Sequence, residues 1–182
     1  MQQFLIAAIS IDGYIGQDKA QASIEWTSKA DKKFFVEKTK EAGVMLMGRT
    51  TYDTIGRPLP GRLSVVFTRD KKLWTREPKS RDEARSYAWF TSKSFTEVLE
   101  VLDKLGFSQA AICGGSKIYT QFLQADLVDK MYISVEPVVF GAGIPLFAEP
   151  ILRRFELISS SKLGDESCAL LEYERGNKMS HR

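Results

Sequence analysis

Two hydrophobic patterns alternate along this 182-residue chain. Uninterrupted apolar runs, such as residues 4–10, are typical of strands covered on both faces, because every side chain of such a strand meets protein. Segments with an apolar residue at every third or fourth position, such as 95–105, predict amphipathic helices. By these rules the predicted strands are 4–10, 44–47, 63–68, 87–91, 110–113, 131–135, 155–163 and 168–173, and the predicted helices are 28–41, 50–55, 95–105 and 118–123.

The order of these elements predicts the fold class. Strands and helices alternate up to residue 123, which is the pattern of parallel strands joined by helical crossovers. The last strands follow one another without a helix, and the turn Gly164-Asp165 separates the final two. We therefore expect an α/β protein with a mixed, mostly parallel sheet of about eight strands, about four flanking helices and a C-terminal antiparallel hairpin. Residues 71–86 are charged and unpatterned, and no element is predicted there.

Composition indicates one ordinary globular unit. With 43% hydrophobic and 27% charged residues, the chain is long enough for one core and short for two. We expect a single domain over residues 1–175 and a polar tail over 176–182. No apolar run reaches the roughly 20 residues of a membrane-spanning helix, and the start Met-Gln-Gln-Phe-Leu lacks the basic region of a secretory signal. Both observations favour a cytoplasmic protein without a membrane partner.

Charge, histidine and cysteine content argue against several kinds of site. A net charge of +3 is too small to indicate nucleic-acid binding, and the aromatic residues fall within predicted cores. The single histidine, His181, is at the C-terminus, and Cys113 and Cys168 lie in apolar runs without metal-ligand spacing, so a metal site is not expected. We interpret both cysteines as small buried hydrophobic residues. Nothing in the sequence decides between a monomer and a homodimer.

Two predicted strand ends have the sequence of a phosphate-binding corner. Gly48 opens directly into the basic, hydroxyl-bearing run Arg49-Thr50-Thr51, and Gly114-Gly115 opens into Ser116-Lys117. The first N–H groups of a helix have no partner within it and carry the positive end of its dipole, while glycine lets an anion approach the backbone. Two such corners could bind one dinucleotide from both sides.

The remaining side chains suit hydride transfer better than nucleophilic catalysis. No Ser or Cys occupies a nucleophile elbow and the histidine is terminal, whereas in hydride transfer the cofactor supplies the reactive group and the protein positions two rings. The substrate ring then needs one buried acid or base. Asp31 is the best candidate, because it shares a helix face with Phe34 and Phe35. Residues 28–31 can equally form a capping box in which Asp31 returns to the helix start, and Glu25 is a weaker candidate that fits a solvated loop.

Several segments together carry a family resemblance. These are Gly48-Arg49-Thr50-Thr51-Tyr52, the run Ile-Gly-Arg-Pro-Leu-Pro-Gly-Arg at 55–62, Trp26 with Asp31 and the two phenylalanines that follow, and Gly-Gly-Ser-Lys-Ile-Tyr at 114–119. They resemble the corresponding stretches of bacterial dihydrofolate reductases, and with residues 5–16 the similarity covers nearly the whole chain. The resemblance implies the fold of that family, in agreement with the predicted strand and helix count.

The resemblance also implies an activity, which is the reduction of 7,8-dihydrofolate to 5,6,7,8-tetrahydrofolate for one-carbon metabolism. A hydride would pass from nicotinamide C4 to pterin C6, with protonation at N5. Asp31, with Trp26 beside it as the second catalytic residue, would hydrogen-bond the 2-amino group and N3 of the pterin. Arg62 would hold the glutamate α-carboxylate through its planar guanidinium. The implied substrate-binding residues are Ile6, Ala8, Asp31, Phe35, Arg62 and Ser134, of which Ser134 would support Asp31.

The cofactor that the resemblance implies is NADPH. Arg49, Thr50 and Thr51 would meet its 2′-phosphate and pyrophosphate, and Thr68 and Arg69 would lie near the adenosine. In the family the peptide bond of the glycine pair is cis. The implied cofactor-binding residues are Ala8, Gly16, Gly48, Arg49, Thr50, Thr51, Thr68, Arg69, Cys113, Gly114, Gly115, Ser116, Lys117, Ile118 and Tyr119.

Other segments resemble a sister family, the pyrimidine reductases of riboflavin synthesis. These are Asp-Gly-Tyr-Ile at 12–15, Ala-Asp-Leu-Val-Asp at 125–129 and Gly-Ala-Gly-Ile-Pro-Leu-Phe at 141–147. Reduction of 5-amino-6-(5-phosphoribosylamino)uracil with NADPH is therefore an alternative, against which the cation of Arg62 argues. A dinucleotide-binding sensor without turnover is another. Because both families share one fold, the fold cannot choose the substrate.

Overall fold

Ten strands and five α-helices make up most of the chain that the computed structural model describes, which is residues 1–18, 25–164 and 167–176. The helices are α1 (Lys29–Ala42), α2 (Arg49–Ile55), α3 (Arg81–Ala84), α4 (Phe95–Lys104) and α5 (Ser116–Gln124). The strands are β1 (Gln2–Ser10), β2 (Tyr14–Gly16), β3 (Val44–Gly48), β4 (Leu63–Phe67), β5 (Ala88–Thr91), β6 (Gln109–Gly114), β7 (Lys130–Glu136), β8 (Ile144–Pro145), β9 (Phe155–Lys162) and β10 (Ala169–Arg175).

Eight strands form one mixed sheet in the order β5-β4-β3-β6-β1-β7-β10-β9. Neighbours from β5 to β7 run parallel, whereas β10 pairs antiparallel with both β7 and β9. The predicted mixed, mostly parallel sheet and the C-terminal antiparallel hairpin are confirmed. Gly164 of the predicted hairpin turn is among the described residues. Asp165 and the tail beyond Gly176 lie outside them.

Short elements escaped the sequence patterns. Residues 71–86 were expected to be unpatterned, yet they contain a 3-10 turn, Lys71–Leu73, and the four-residue α3, so the described helices number five rather than four. The hydroxyl of Ser80 caps α3 by accepting a hydrogen bond from the amide of Glu83 at 3.1 Å. A separate sheet of β2 and β8 was also not predicted. Elements of two to four residues are too short for a period to be visible.

The core lies on both faces of the large sheet, as a strand with alternating contacts requires. In β1, Leu5 and Ala7 belong to one buried cluster, and Phe4 and Ile6 belong to the other. On the first face, the fully buried Phe122 of α5 stacks on Phe95 of α4 with ring centroids 4.0 Å apart. None of the helices in the described part of the chain is long and apolar enough to cross a membrane.

The topology brings three helix starts to one edge of the sheet. From β1 the chain moves outward through β3, β4 and β5, and then returns so that β6 lies between β3 and β1. The parallel strands β1, β3, β6 and β7 all end at the same edge of the sheet. The helices α1, α2 and α5 begin at that edge because they follow β1, β3 and β6 along the chain. In open α/β sheets, ligands bind at the carboxyl ends of strands where the order reverses.

We predict that Phe122→Ala lowers the free energy of unfolding by about 3–5 kcal/mol, because it removes a fully buried ring from a packed core. Urea unfolding followed by circular dichroism measures the loss. Leu157→Ala on β9, where the side chain is 55% exposed, is the matched control and should change stability by less than about 0.5 kcal/mol. Equal losses for the two variants would contradict this description of the core.

Candidate active site

The first turn of α1 holds the candidate acid. Ser28 is the N-cap, with extended backbone, and its hydroxyl accepts a hydrogen bond from the amide of Asp31 at 3.1 Å. Asp31 is therefore held at the third helical position, and its side chain is buried, with 9% of its surface exposed. The local sequence forms a helix start here because a serine hydroxyl satisfies an amide that the helix itself leaves without a partner.

Burial governs the electrostatics of Asp31. Desolvation is the largest effect and raises the pKa of its carboxyl group above the usual value. The hydroxyl groups of Ser134 and Thr27 lie close enough to the carboxylate to lower its pKa and so partly oppose that rise, whereas the nearby charge of Glu136 adds to it. The carboxyl group of Asp31 is thus a strong hydrogen-bond acceptor held in a site that excludes water.

The capping box predicted as an alternative role for Asp31 is not formed. The amide of Ser28, which the Asp31 carboxylate would have accepted from, donates instead to Oε1 of Glu136 at 2.9 Å. A complete box does occur at α4, where Glu97 accepts from the amide of Ser94 at 2.8 Å. The capping interpretation of the Asp31 side chain is therefore wrong, because Glu136 of β7 accepts the hydrogen bond from the Ser28 amide that a capping box would give to Asp31.

Residues of the paired strands β1 and β7 lie beside Asp31. Ala8 is the register partner of Ser134 in the parallel pairing of these strands, so the half-buried Ala8 lies next to the hydroxyl that binds Asp31. Ile6 is buried, and its carbonyl oxygen accepts a hydrogen bond from the hydroxyl of Tyr119 at 2.8 Å. Phe35, one turn along α1, is half-buried and packs against the same apolar cluster as Ile6. The structure thus groups these predicted substrate residues around Asp31.

Apolar side chains that the sequence analysis did not single out share this cluster with Phe35. Tyr52 and Ile55 of α2 and Leu59 of the following turn pack, like Phe35, against the buried cluster that contains Ile6. Their signal was available, since they lie within the segment that resembles the reductase family, but apolar residues in a short helix are commonly core. Glu136 was also missed, although a glutamate that closes the apolar run of β7 is unusual for a buried strand.

Arg62 was predicted at the substrate, and the structure buries it. Its side chain is 3% exposed, and Nη1 donates to Oγ1 of Thr39 at 2.6 Å. Among the described residues no carboxylate lies within salt-bridge distance of it, and desolvation lowers the pKa of the guanidinium. Arg62 is therefore not a solvated arginine of a surface turn, although it follows the turn sequence Pro-Leu-Pro-Gly. A buried cation without an anion is unfavourable, which makes this position suited to a carboxylate ligand.

Three buried polar atoms have no hydrogen-bond partner in the described part of the chain. They are Nε1 of Trp26, Nε of Arg62 and Oγ of Ser116. Buried polar groups are almost always paired in folded proteins, and leaving one unpaired costs about 1–3 kcal/mol. All three belong to residues that were predicted at the site from sequence. Trp26 is held in place by an edge contact with Phe140, with ring centroids 5.1 Å apart.

The two glycine corners lie side by side. Gly48 and Gly115 are the N-caps of α2 and α5, and neither helix has a side-chain cap. The strands before them are neighbours, with Met47 in register with Gly114. A Cβ atom on Gly115 would lie 3.3 Å from Oγ1 of Thr51 in α2, so the helix starts are in direct proximity.

Only glycine fits at position 114, because of its backbone conformation and the nearby side chain of Tyr119. The φ of Gly114 is +105°, and its peptide bond to Gly115 is cis, as in the family that the sequence resembles. A Cβ atom here would lie 3.0 Å from the ring and hydroxyl of Tyr119, so that any other residue would collide with a buried side chain. Ser116 follows at the first position of α5, where the helix dipole favours an anion.

The other predicted cofactor residues differ in their exposure and in their hydrogen bonds. Lys117 and Arg69 are exposed, as is Thr50, and Nε of Arg49 contacts both carboxylate oxygens of Asp53, at 2.6 and 2.7 Å. Oγ1 of Thr68 accepts from the amide of Asp70. Gly16, Cys113 and Ile118 are buried, and desolvation raises the pKa of the Cys113 thiol. Cys168 is buried as well, and neither cysteine is disulfide-bonded.

Comparison with known sequences identifies relatives over most of the chain. The family model described as dihydrofolate reductase matches residues 3–173. The uncharacterized protein YwjB of Bacillus subtilis is 30% identical over 152 residues, which are 80% of this chain and 82% of that protein. The dihydrofolate reductase type 3 of Salmonella typhimurium is 32% identical over 130 residues, which are 71% of this chain and 68% of that enzyme.

Solved structures with similar folds carry more than one function. Dihydrofolate reductase from Enterococcus faecalis, solved with NADP(H) and RAB-propyl, aligns with a TM-score of 0.73 and 25% identity over 97% of each chain. A pyrimidine reductase-like protein from Corynebacterium diphtheriae aligns with a TM-score of 0.72 and 16% identity, over 95% of this chain and 91% of that one. The second similarity is a similarity of fold alone.

We predict that Asp31→Asn raises the melting temperature at pH 7. The pKa of Asp31 is raised above the value of 3.8 that it has in an unfolded chain, so wild-type stability falls as pH rises from 3.8 through the folded-state pKa. The gain of the variant should therefore be largest at neutral pH and disappear as pH falls below 3.8. Calorimetry should detect about 2–4 °C for each kcal/mol recovered.

The control is Asp82→Asn, at a side chain that is 90% exposed. It should change the melting temperature little at either pH. A pH-independent effect of Asp31→Asn, or a loss of stability at pH 7, would contradict the assignment of a desolvated carboxylate.

Proposed function

This chain belongs to the dihydrofolate reductase family, and from that premise we propose that it reduces 7,8-dihydrofolate to 5,6,7,8-tetrahydrofolate with NADPH. The observation that carries the proposal is that α1 holds a buried carboxylate, Asp31, in its first turn and, through Thr39 further along the helix, contacts a buried guanidinium, Arg62, that has no acidic partner among the described residues. A pterin presents a row of donors at one end, and a glutamate tail presents a carboxylate at the other. The two side chains match these two ends.

Asp31 would orient the pterin ring. Its carboxylate can accept hydrogen bonds from the 2-amino group and from N3–H, and the buried hydroxyls of Ser134 and Thr27 hold the carboxylate against rotation. Charge donated into the ring in this way makes N5 easier to protonate, with water as the immediate proton source. Nε1 of Trp26, buried and without a partner among the described residues, is available to bind that water or the pterin oxygen.

Arg62 would bind the α-carboxylate of the substrate. One edge of its guanidinium is fixed by Thr39, which leaves Nε without a partner in the described part of the chain. A carboxylate would neutralise the buried charge and satisfy the unpaired donor. This contact is far from the reacting carbon, so it contributes to binding and not to the chemical step.

The residues at the two glycine corners fit NADPH. Its diphosphate would be held by the hydroxyl of Ser116, which has no partner among the described residues, by the space at Gly114 that a Cβ atom would fill, and by Thr51. When bound there, NADPH supplies the hydride. The protein would hold its nicotinamide end near Ala8, exclude water through the buried strand ends, and meet the 2′-phosphate with Arg49, whose present partner Asp53 is on the surface.

A pyrimidine reductase activity is the second candidate, because two of the three segments that resemble the sister family, residues 12–15 and 141–147, come together in space. The carboxylate of Asp12 accepts hydrogen bonds from the amides of Phe140 and Gly141, at 3.2 and 2.7 Å. Tyr14 pairs with Pro145 in the small sheet. These contacts build a rim beside the site. The substrate of this candidate carries a phosphate in place of a glutamate tail. A guanidinium binds either anion, so Arg62 does not argue against this candidate as the sequence analysis expected.

The substrate is tested by following NADPH oxidation with dihydrofolate and, separately, with the aminopyrimidine ribose phosphate. We expect turnover of dihydrofolate. Asp31→Asn should keep NADPH affinity but lower kcat at neutral pH by roughly 10²–10⁴-fold, the range of general acid–base contributions. Partial recovery is expected at low pH, where the substrate arrives already protonated. Turnover of the pyrimidine alone would select the second candidate, and NADPH binding without turnover of either would indicate a sensor.

Arg62→Leu tests the carboxylate contact. We expect KM for dihydrofolate to rise by about 10- to 100-fold, as for loss of a charge-assisted hydrogen bond of about 1.5–3 kcal/mol. KM for a pterin that lacks glutamate should barely change, because that substrate never makes the contact. Arg57→Leu, at an exposed arginine of the same turn, is the control and should affect neither substrate. An equal rise of KM for both pterins would contradict the role of Arg62.

A further inference from the structure

Glu136 is a second buried acid next to the candidate catalytic carboxylate. Its side chain is 2% exposed, and Oε1 accepts the amide hydrogen of Ser28 at 2.9 Å. No cation lies within salt-bridge distance of it among the described residues. A buried carboxylate without a cation is unfavourable unless it has a specific task, and the function proposed above does not use this one.

We propose that Glu136 is a positioning residue that occupies the amide at the start of α1 and so keeps the carboxylate of Asp31 free to face the substrate ring. The inference rests on the proposed function for the role that it gives to Asp31. Glu136 itself need not touch the substrate. It acts by taking a hydrogen-bond donor that would otherwise compete with the substrate for the same carboxylate.

A second helix of this chain shows the competing arrangement. In α4, Glu97 stands at the third helical position and its carboxylate returns to the amide of the N-cap Ser94. In α1, Asp31 stands at the same third position relative to Ser28. Left alone, the unpaired amide at the helix start and the positive end of the dipole would attract the acid of the first turn. In this protein Glu136 reaches that amide from β7, and the carboxylate of Asp31 lies near the hydroxyl groups of Ser134 and Thr27 instead.

The orientation of Glu136 is itself fixed. It ends β7, where its register partner in β1 is the fully buried Ser10. The buried thiol of Cys168 lies near both the carboxylate of Glu136 and the hydroxyl of Ser28, and Glu136 contributes to the raised pKa of that thiol. The carboxylate is therefore held between the helix start and the strand end, and it cannot swing away without leaving the Ser28 amide unpaired.

The arrangement also sets the charge that surrounds Asp31. The ionisable groups facing it are Lys32 on its own helix, Glu136 on β7, Tyr119 on α5 and Cys168 before β10. Glu136 raises the pKa of Asp31 and Lys32 lowers it. Position and charge can be separated by mutation, because glutamine keeps an oxygen that accepts from the Ser28 amide but carries no charge.

The test uses Glu136→Gln and Glu136→Ala in the full chain, with two readouts. Carbon-13 NMR of the Asp31 carboxyl gives its pKa without any substrate, and steady-state kinetics with dihydrofolate gives kcat/KM. Glu136→Gln should lower the pKa of Asp31 and leave kcat/KM at neutral pH close to wild type. Glu136→Ala should lower that pKa further, because the freed amide binds Asp31, and should reduce kcat/KM on the order of 10- to 100-fold through misplacement of the carboxylate.

The matched control is Glu97→Ala, which opens the capping box of α4 and should leave the pKa of Asp31 and kcat/KM unchanged. A pKa of Asp31 in Glu136→Ala that is no lower than in Glu136→Gln, or full activity in Glu136→Ala, would overturn the inference. If Glu136→Ala does not fold, Glu136→Asp replaces it, because the shorter side chain withdraws from the Ser28 amide but keeps the charge; a lower pKa of Asp31 then supports the inference and an unchanged one overturns it. If wild type does not reduce dihydrofolate but the pKa of Asp31 is lower in Glu136→Ala than in Glu136→Gln, the proposed function fails and the positioning of Asp31 by Glu136 stands.

Discussion

The burial of one carboxylate at the start of α1 is the constraint on which the rest of the site depends. Asp31 lies where a helix begins, at the edge of the sheet where the parallel strands end. Water would weaken any hydrogen bond that it makes to a ligand, and its removal raises both the strength of that bond and the pKa of the group. The crossover that carries α1 back over the sheet is what holds the acid against the strand ends.

Three of the candidate site residues depart from the usual rule that buried polar atoms are paired. The guanidinium of Arg62 and the hydroxyl of Ser116 each keep an atom without a partner in the described part of the chain, and the indole of Trp26 does the same. Such atoms destabilise a protein that binds nothing, and a ligand that pairs them recovers that free energy. The unpaired atoms therefore lower the stability of the free protein and would strengthen the binding of a ligand that pairs them. Such a trade-off between stability and activity is common in enzymes.

The two glycine corners show how the sheet turns separate sequence motifs into one surface. Each corner alone is a strand that ends in glycine before a helix. Because β6 returns to lie beside β3, the starts of α2 and α5 become neighbours, and Thr51 comes close to Gly115. A ligand with several phosphates could contact both, which neither segment could achieve in isolation.

By itself the sequence determined the longer strands and helices, the mixed sheet with its hairpin, and the residues that matched the family, because hydrophobic period, glycine positions and short motifs are local properties of the chain. It also identified Asp31, Arg62 and Ser116 as candidates. The tertiary structure decided that Arg62 is buried with no acidic partner among the residues described, and that the side chain of Asp31 does not accept a hydrogen bond from the amide of the N-cap. That last outcome depends on Glu136, which is 108 positions from Ser28. A local pattern records only what neighbouring residues can do, whereas the hydrogen bond that forms depends on which distant strand the fold brings within reach.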